Sequence, residues 1–218
     1  MITHYKGISQ SEFHFVISEV VSPIAELTEL YESLKEYSLP WNDYKQKYNP
    51  NKPNQPRGDG GLGAIYAPDK DGKDLIDYPV VQKIIKRFNF VNPNNTERDF
   101  HNVDAIDVAF MTYKPGFVFQ KHTDRDMQYN LMFPIYPLED NAPIHFWDGR
   151  DEDRDSTKTK LATIHYSKQH PTLTNGKRIH SVDEIKQHRV MFRIKTTQET
   201  FDEVRVRYEQ GKFINVSS

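Results

Sequence analysis

Cysteine is absent from the 218 residues of this chain. That absence excludes disulfides, thiolate zinc sites, iron–sulfur clusters and cysteine nucleophiles together. Any metal ion must therefore be held by histidine and carboxylate side chains. The chain offers nine His, and its Asp and Glu residues together number 31.

Three further absences limit the location and the possible partners. No run of about 18 apolar residues is present, so we expect no membrane span. Residues 1–13 lack a basic segment followed by an apolar one, so we predict no signal peptide and a cytoplasmic location. A basic excess is missing too, since Lys plus Arg is 29 and the formal net charge is −2, which argues against nucleic acid as the main partner.

Aromatic residues, in contrast, are plentiful. The 13 Phe, 12 Tyr and 2 Trp exclude a chain that is disordered throughout. The length favours a single domain over 1–218 with one core large enough to fold unaided.

The N-terminal part, residues 1–103, is predicted to be a support region of helices and loops. Apolar residues recur at helical spacing over 22–38 and again over 79–89, and Ser22 and Pro23 suit the start of the first helix. The stretch 40–60 between them is rich in Pro and Asn and is predicted to be a loop.

The pattern changes at residue 104. Short runs rich in Val, Ile, Phe, Tyr and Thr alternate with turn residues, which is typical of antiparallel sheets in a sandwich or barrel. The predicted strands are 104–113, 116–121, 129–136, 143–147, 159–166, 177–182, 188–195 and 203–208. We therefore expect a β core over 104–208, with the N-terminal helices bracing one sheet.

Two other segments are predicted to be loops. Gly58 to Gly63 matches the G-x-G-x-x-G pattern, but a Pro-rich stretch precedes it where a nucleotide-binding fold needs a strand. Residues 148–158 are almost all charged or polar. In this interpretation the glycines make a flexible loop that could form an edge of an active site, and 148–158 is a solvated loop, with a lid over the site as the minority alternative.

The strongest chemical signal is His122-Thr-Asp124 at the end of a predicted strand. Residues two apart in a strand point to the same face, so His122 and Asp124 can reach one ion. His180, 58 residues downstream in another predicted strand, is the best third ligand, and His165 is the fallback. Two His and one carboxylate suit non-haem Fe(II). The competing interpretation is that a lone H-x-D arises by chance.

Arg189 lies nine residues after His180 at the start of the next predicted strand. A buried Arg there presents a planar fork for a carboxylate, although a single Arg is more often at the surface. A Tyr113-Lys-Pro-Gly116 turn precedes the H-x-D motif, and predicted strands carry all of these residues. The turn, the H-x-D motif, His180 and Arg189 together are a more specific signal than any one of them alone.

This combination over residues 104–195 resembles the Fe(II)- and 2-oxoglutarate-dependent dioxygenases, closest in pattern to their prolyl-hydroxylase-like branch. The resemblance implies a double-stranded β-helix (jelly roll) fold, iron bound by His122, Asp124 and His180, and 2-oxoglutarate and O2 as cosubstrates. Arg189 would bind the C5 carboxylate of 2-oxoglutarate.

The strand after H-x-D, 129–136, would also touch the cosubstrate. Alternation places Asn130, Met132, Pro134 and Tyr136 on one face, with Tyr136 the preferred hydroxyl partner of the C5 carboxylate and Asn130 behind it. Tyr113 also faces the pocket in this interpretation. No catalytic residue is implied beyond the metal ligands.

Two residues are candidates for contact with the substrate. Arg193 shares its strand parity with Arg189, so it would face inward and need an anion, either a substrate carboxylate or a structural Asp or Glu. Trp147 is one of several aromatics near the site that either wall the pocket or belong to the core.

The resemblance implies hydroxylation of an unactivated C–H bond in a small-molecule or peptidyl substrate, with a prolyl or other amino-acid side chain as the target. Asp124 argues against a halogenase, in which a small residue leaves room for halide. The spacing of Arg189 and Arg193 argues against the DNA-alkylation-repair branch, which carries two Arg six apart. The alternatives are a non-catalytic jelly-roll binding or structural protein and a metal-dependent dioxygenase that does not use 2-oxoglutarate. The oligomeric state stays open.

Overall fold

The computed structural model describes residues 12–40, 62–65, 73–91, 106–124, 128–136, 142–149, 159–196 and 198–215. These residues are mainly β-sheet, as predicted. The helices are α1 (Ile24–Leu34), α2 (Pro79–Lys86) and α3 (Phe201–Glu209), with 3-10 turns at Lys35–Tyr37 and Leu75–Asp77. The strands are β1 (His14–Val16), β2 (Leu39–Pro40), β3 (Leu62–Ile65), β4 (Ile106–Tyr113), β5 (Phe119–His122), β6 (Tyr129–Tyr136), β7 (Ile144–Trp147), β8 (Lys160–Ile164), β9 (Thr172–Asn175), β10 (His180–Val182) and β11 (Arg189–Thr196).

Helices α1 and α2 form where apolar periodicity predicts them, with shorter bounds. The buried stripe of α1 contains Leu27, Leu30 and Leu34. Pro23, rather than the expected Ser22, occupies the N-cap position of α1, and no side chain caps it. Pro79 begins α2 at a position where its missing N–H costs no hydrogen bond.

The C-terminal prediction was wrong, because residues 203–208 belong to helix α3. Thr200 and Glu203 form a capping box, in which each side chain accepts a hydrogen bond from the other's backbone N–H. The buried residues of α3, Phe201 and Val204, are three apart, which is helical spacing. The local cap prevails over the strand-like alternation of Val and Arg.

Two antiparallel sheets make up the β-structure of the described residues. The large sheet has the order β1-β9-β6-β11-β4-β3-β2, and the small sheet has the order β5-β10-β7-β8. From β4 onward the chain passes back and forth between the two sheets. Strand β9 was not predicted, and strands β1 to β3 lie in segments where no strand was expected.

The large sheet buries both of its faces. On the outer face Phe110, Phe133 and Phe192 pack in one cluster with the buried residues of α1, α2 and α3. On the inner face Ala109 and Met191 pack with residues of the small sheet such as Phe146. Strand alternation therefore gives two cores, and the helices do brace one sheet.

One residue of the glycine-rich segment, Gly63, lies in the second strand from the edge of the large sheet. Gly63 lies in β3, where an added Cβ would stand 2.5 Å from Thr112 Oγ1, so close strand packing requires glycine there. Several predicted features lie outside the described ranges: residues 58–61, the rest of the predicted 40–60 loop after Pro40, the boundary near residue 103 and residues 150–158. Within those ranges no helix combines the length and apolar character needed to cross a bilayer.

Candidate metal centre

The predicted ligands His122 and His180 are brought together by strand pairing. Strands β5 and β10 are neighbours in the small sheet, and His180 lies directly opposite His122. Opposite residues of antiparallel strands project to the same face, and the two imidazole centroids are 4.3 Å apart. Phe119 stacks on His122 and Phe146 lies against His180, so apolar rings fix both imidazoles.

Asp124 follows the end of β5 and completes the set. Its backbone N–H donates to Gly176 O at 2.8 Å, which holds it against the turn that precedes β10. Its Oδ1 lies 3.8 Å from His122 Nε2, and its Oδ2 lies 3.9 Å from His180 Nε2. One ligand atom from each residue lies within 4.8 Å of the others.

The hydrogen bonds of the two imidazoles suit metal binding. His122 Nδ1 lies 2.6 Å from Gln120 O, and His180 Nδ1 lies 2.9 Å from Arg178 O. A carbonyl oxygen only accepts, so each Nδ1 carries the proton and donates it. Each Nε2 then presents a lone pair toward the carboxylate, the tautomer that metal-ligating His normally has.

The carboxylate of Asp124 is held in its charged form. Burial opposes its ionisation, but the positive charge that His180 and His122 carry when protonated, a hydrogen bond from Asn130 and the charge of Arg193 hold the pKa of Asp124 below its usual range. Asn130 Nδ2 donates to Asp124 Oδ2 at 2.6 Å. Asn130, expected beside the cosubstrate, thus orients Asp124, a predicted metal ligand.

The donor set fits a divalent first-row metal such as Fe(II). Two neutral imidazole nitrogens and one carboxylate are the ligands of the facial triad, which leaves coordination positions open. Ligands with bonds of ~2.1 Å to one ion stand about 3 Å apart when adjacent. The present separations are wider, so we expect the three side chains to draw together around an ion.

A second polar group surrounds Arg189, at the start of β11. Arg189 is buried, and its guanidinium carbon lies 5.7 Å from the ring centre of Tyr113 and 5.2 Å from that of Tyr166. Its Nη1 donates to Ala142 O at 3.5 Å, a weak bond. A buried cation between two phenols can take up a carboxylate.

Tyr166 was not singled out from the sequence. Burial raises the pKa of Tyr166 and of Tyr113, so both hydroxyls stay protonated near neutral pH and can donate. Tyr166 is the last residue of the predicted strand 159–166. Ala162 and Ile164 of that strand face inward and belong to the inner core. The same alternation, continued two residues beyond Ile164, predicts that Tyr166 also faces inward.

Tyr136 lies elsewhere than expected. It is 53% exposed and pairs with Val190, across a register shift that separates it from Pro134 and Met191. The shift breaks the alternation on which the expectation depended. Tyr113 and Tyr166, rather than Tyr136, are the phenols next to Arg189.

Trp147 lies away from the inner face of the small sheet. Its neighbour Phe146 belongs to the inner core, whereas Trp147 Nε1 donates to Ser181 Oγ at 2.9 Å and Lys121 Nζ stands 3.8 Å above its ring. Successive strand residues face opposite sides. The structure therefore does not support Trp147 as a wall of the pocket.

The other histidines have separate environments. His165, the fallback ligand, is exposed and outside the metal-ligand group. His145 hydrogen-bonds Thr163 and lies 3.0 Å from Asp183 Oδ1.

The inward position expected for Arg193 fits its 6% exposure and its register opposite Met132 and Ala109.

Comparison with known proteins gives only distant structural similarity. No protein-family model matches the chain, and no curated protein does. Among solved structures, a Pseudomonas putida prolyl-4-hydroxylase is similar at a TM-score of 0.47 and 10% identity, over 79% of this chain and 85% of that one. A Burkholderia pseudomallei oxidoreductase of the 2OG-Fe(II) oxygenase family reaches 0.39 and 11%, over 82% and 95%. A Pseudaminobacter salicylatoxidans salicylate 1,2-dioxygenase reaches 0.26 and 10%, over 50% and 24%. At these TM-scores and identities the similarity carries no functional argument.

Proposed function

We propose that this chain is an oxidoreductase, a non-haem Fe(II)- and 2-oxoglutarate-dependent dioxygenase. It hydroxylates an unactivated C–H bond in a prolyl or other amino-acid side chain. The observation that carries the proposal is the group His122, Asp124 and His180, whose ligand atoms converge within 4.8 Å while both Nδ1 atoms are engaged by backbone carbonyls.

The strand order supports a double-stranded β-helix as the fold. Strands β4, β6, β9 and β11 are contiguous in the large sheet, and β5, β7, β8 and β10 form the small sheet. A jelly roll has two facing antiparallel sheets of four strands each, and its chain crosses repeatedly from one sheet to the other. His122 at the end of β5 and His180 at the start of β10 then stand at one end of the barrel.

The side chains have distinct tasks in this proposal. His122, Asp124 and His180 hold the iron on one side and leave other positions open. Asn130 fixes the carboxylate of Asp124, and Arg189 between Tyr113 and Tyr166 holds the distal carboxylate of 2-oxoglutarate. Bound Fe(II) with 2-oxoglutarate supplies the oxidation of C–H by O2, with release of succinate and CO2, which no side chain can provide.

The test is an anaerobic titration of the purified protein with Fe(II) and then with 2-oxoglutarate. We expect a weak visible charge-transfer band when the cosubstrate chelates the iron. His180→Ala removes a ligand and should weaken iron binding about a hundredfold or more. Arg189→Ala should retain iron but weaken 2-oxoglutarate binding about thirtyfold or more, because it removes the partner of a buried carboxylate.

His165→Ala is the matched control, since His165 is exposed and outside the metal-ligand group. It should behave as the unaltered protein. Iron binding without a band after 2-oxoglutarate would instead indicate a dioxygenase that does not use this cosubstrate. Absence of iron binding would indicate a non-catalytic jelly-roll protein.

A further inference from the structure

Two buried side chains of the large sheet each leave one polar atom without a hydrogen bond to the described residues. These atoms are His14 Nδ1 and Asn130 Oδ1. Both side chains are only 8% exposed, so bulk water does not readily supply the missing partners. An unmatched buried polar atom costs free energy, and a ligand that brings the missing partner removes that cost.

The contact between Asn130 and Asp124 fixes what the free atom of Asn130 needs. Asn130 Nδ2 donates to Asp124 Oδ2 at 2.6 Å, and a carboxylate only accepts, so the other amide atom is the oxygen. Asn130 Oδ1 is therefore an acceptor, and it calls for an N–H or O–H group of a ligand.

His14 faces the same side of the sheet as Asn130. Its neighbour Phe15 packs against Phe201 and Tyr208 of α3, on the helix side, so His14 projects to the inner face. Burial lowers the pKa of His14 to about 4, so its imidazole is neutral near pH 7 and carries one proton. With that proton on Nδ1, His14 donates to a carbonyl oxygen of a ligand.

Strand register places the two side chains on either side of Thr174. His14 lies opposite Thr174 in the pairing of β1 and β9, and Thr174 lies opposite Asn130 in the pairing of β9 and β6. Two strand spacings separate the backbones of His14 and Asn130 by about 10 Å. The short side chain between them turns its hydroxyl back to the sheet, since Thr174 Oγ1 donates to Asn130 O at 3.3 Å. Thr174 is thus the floor of a niche whose two walls are His14 and Asn130.

Direct contacts place this niche beside the metal centre. Asn130 hydrogen-bonds the predicted metal ligand Asp124. On the other side Phe13, which precedes His14, packs against Phe146 at a centroid distance of 5.1 Å, and Phe146 lies 6.0 Å from the ring of His180. A group held in the niche therefore lies next to the ligands of the proposed iron.

The surroundings of the niche favour a neutral ligand group. Lys195 lies opposite Asn130 in the pairing of β11 and β6, and its ammonium is paired with Asp107 at 2.8 Å. A second ammonium beside it would be repelled. A trans peptide group is neutral and carries its N–H and C=O on opposite sides. With a hydrogen bond on each side it spans about 8 Å between its two partners, close to the strand separation.

We infer that His14 and Asn130 bind an amide group of the substrate. Asn130 Oδ1 accepts from the N–H of this amide, and His14 Nδ1 donates to its carbonyl oxygen. The inference rests on the proposed function and narrows its substrate class to molecules with an amide, which is either the backbone of a peptide or a side-chain carboxamide.

The test is isothermal titration with Ni(II) in place of Fe(II) and saturating 2-oxoglutarate. One set of probes is the N-acetyl N-methylamides of the proteinogenic amino acids, which present backbone amides without terminal charge. The other set is free asparagine and free glutamine, which present a carboxamide. We expect one set to contain a ligand. The matching ester, in which oxygen replaces the amide nitrogen, should bind about tenfold or more weakly because it has no donor for Asn130 Oδ1.

Variants of His14 test the carbonyl end of the amide. His14→Leu should weaken the amide about tenfold or more, and His14→Asn should recover most of the loss because its amide nitrogen takes the place of Nδ1. His145→Leu is the matched control. His145 is a histidine of equal burial that shares the strand parity of Trp147, on the other side of the small sheet, and contacts Thr163 and Asp183. It should leave the affinity unchanged.

The outcomes separate this inference from the proposed function. If 2-oxoglutarate gives no charge-transfer band with Fe(II), the proposed function has failed. If the band forms but no amide binds, or the ester binds as tightly as the amide, the inference is overturned and the niche holds ordered water only. It is also overturned if a folded His14→Leu variant keeps full affinity or loses the band. Should that variant fail to fold, the ester comparison on the unaltered protein decides alone.

Discussion

The two faces of the large sheet are built from the same strands but differ in composition. On β11 the outward residues Val190, Phe192 and Ile194 are each 0% exposed and pack beneath the helices. The inward residues of that strand include Arg189 and Arg193, each as buried as many core side chains. The outer face is an apolar core, whereas the inner face combines an apolar cluster with buried cations.

This difference separates the sources of stability from those of function. Burial of Phe and Ile on the outer face contributes free energy directly, at about 25 cal/mol per Å² of apolar surface. Burial of Arg on the inner face costs free energy unless an anion accompanies it. On the inner face the carboxylate of Asp124 supplies one negative charge, and the 2-oxo acid of the proposed function would supply more.

The largest effect expected on the outer face comes from Phe192→Ala. Phe192 is fully buried and packs against Phe110 and Phe133 at centroid distances of 5.3 and 5.7 Å. Removing the ring leaves a cavity, so the free energy of unfolding should fall by about 3–5 kcal/mol. Urea denaturation monitored by circular dichroism measures it.

Two variants make this result a comparison of faces. Met191→Ala, the adjacent residue on the inner face, should cost less than Phe192→Ala because it removes less apolar volume. Val206→Ala, at an exposed position on α3, should change stability by about 0.5 kcal/mol or less. Equal losses for Met191→Ala and Phe192→Ala would contradict the expected dependence on the apolar volume removed.

The sequence predicted the cluster of His122, Asp124 and His180 better than its surroundings. His122 and Asp124 are two residues apart at a strand end, so their common direction follows from strand geometry alone. His180 lies beside His122 because β5 pairs with β10, and this pairing is a feature of the tertiary structure. The strand-rich pattern after residue 104 predicted that such a neighbour would exist.

The wrong predictions fall where a helix cap or a shift in strand register interrupts a regular alternation of residues. Helix α3 begins at a capping box that was visible as Thr200-x-x-Glu203, yet the Val-Arg alternation after it suggested a strand. Tyr136 follows a register shift in β6 next to Pro134, and a proline within a strand is a signal of such a shift that the alternation argument did not use. Tyr166 was accessible by alternation from Ile164, but nothing in the sequence tied it to Arg189.

A smaller effect is expected from His14, a buried residue in the inner-face row of Thr174 and Asn130. Burial lowers the pKa of His14 to about 4, from 6.5 in an exposed setting. The unfolded chain therefore binds a proton that the folded chain excludes between these values. Stability from this group is complete above pH 6.5 and is lost as the pH falls toward 4.

The predicted loss between pH 8 and pH 5 is about 2 kcal/mol from His14. Unfolding free energies measured across this range for the unaltered chain and for His14→Gln test it, because glutamine does not titrate. The variant should show a flatter profile between pH 5 and pH 7. Parallel profiles for the two proteins would mean that His14 accepts its proton without penalty in the folded state.

The smallest effect concerns the border of the outer core, where α3 covers the large sheet. Thr200 Oγ1 accepts a hydrogen bond from the backbone N–H of Glu203 at 3.2 Å, and Glu203 Oε2 accepts one from the backbone N–H of Thr200 at 2.7 Å. Thr200→Ala removes the first of these and should lower the free energy of unfolding by about 1 kcal/mol. Thr200→Ser retains the acceptor and should recover most of the loss. Because α3 contributes Phe201 and Val204 to the helix-side core, the weakened cap should loosen that face while metal affinity stays the same. A matching drop in metal affinity would show that the two faces are energetically coupled through the sheet they share.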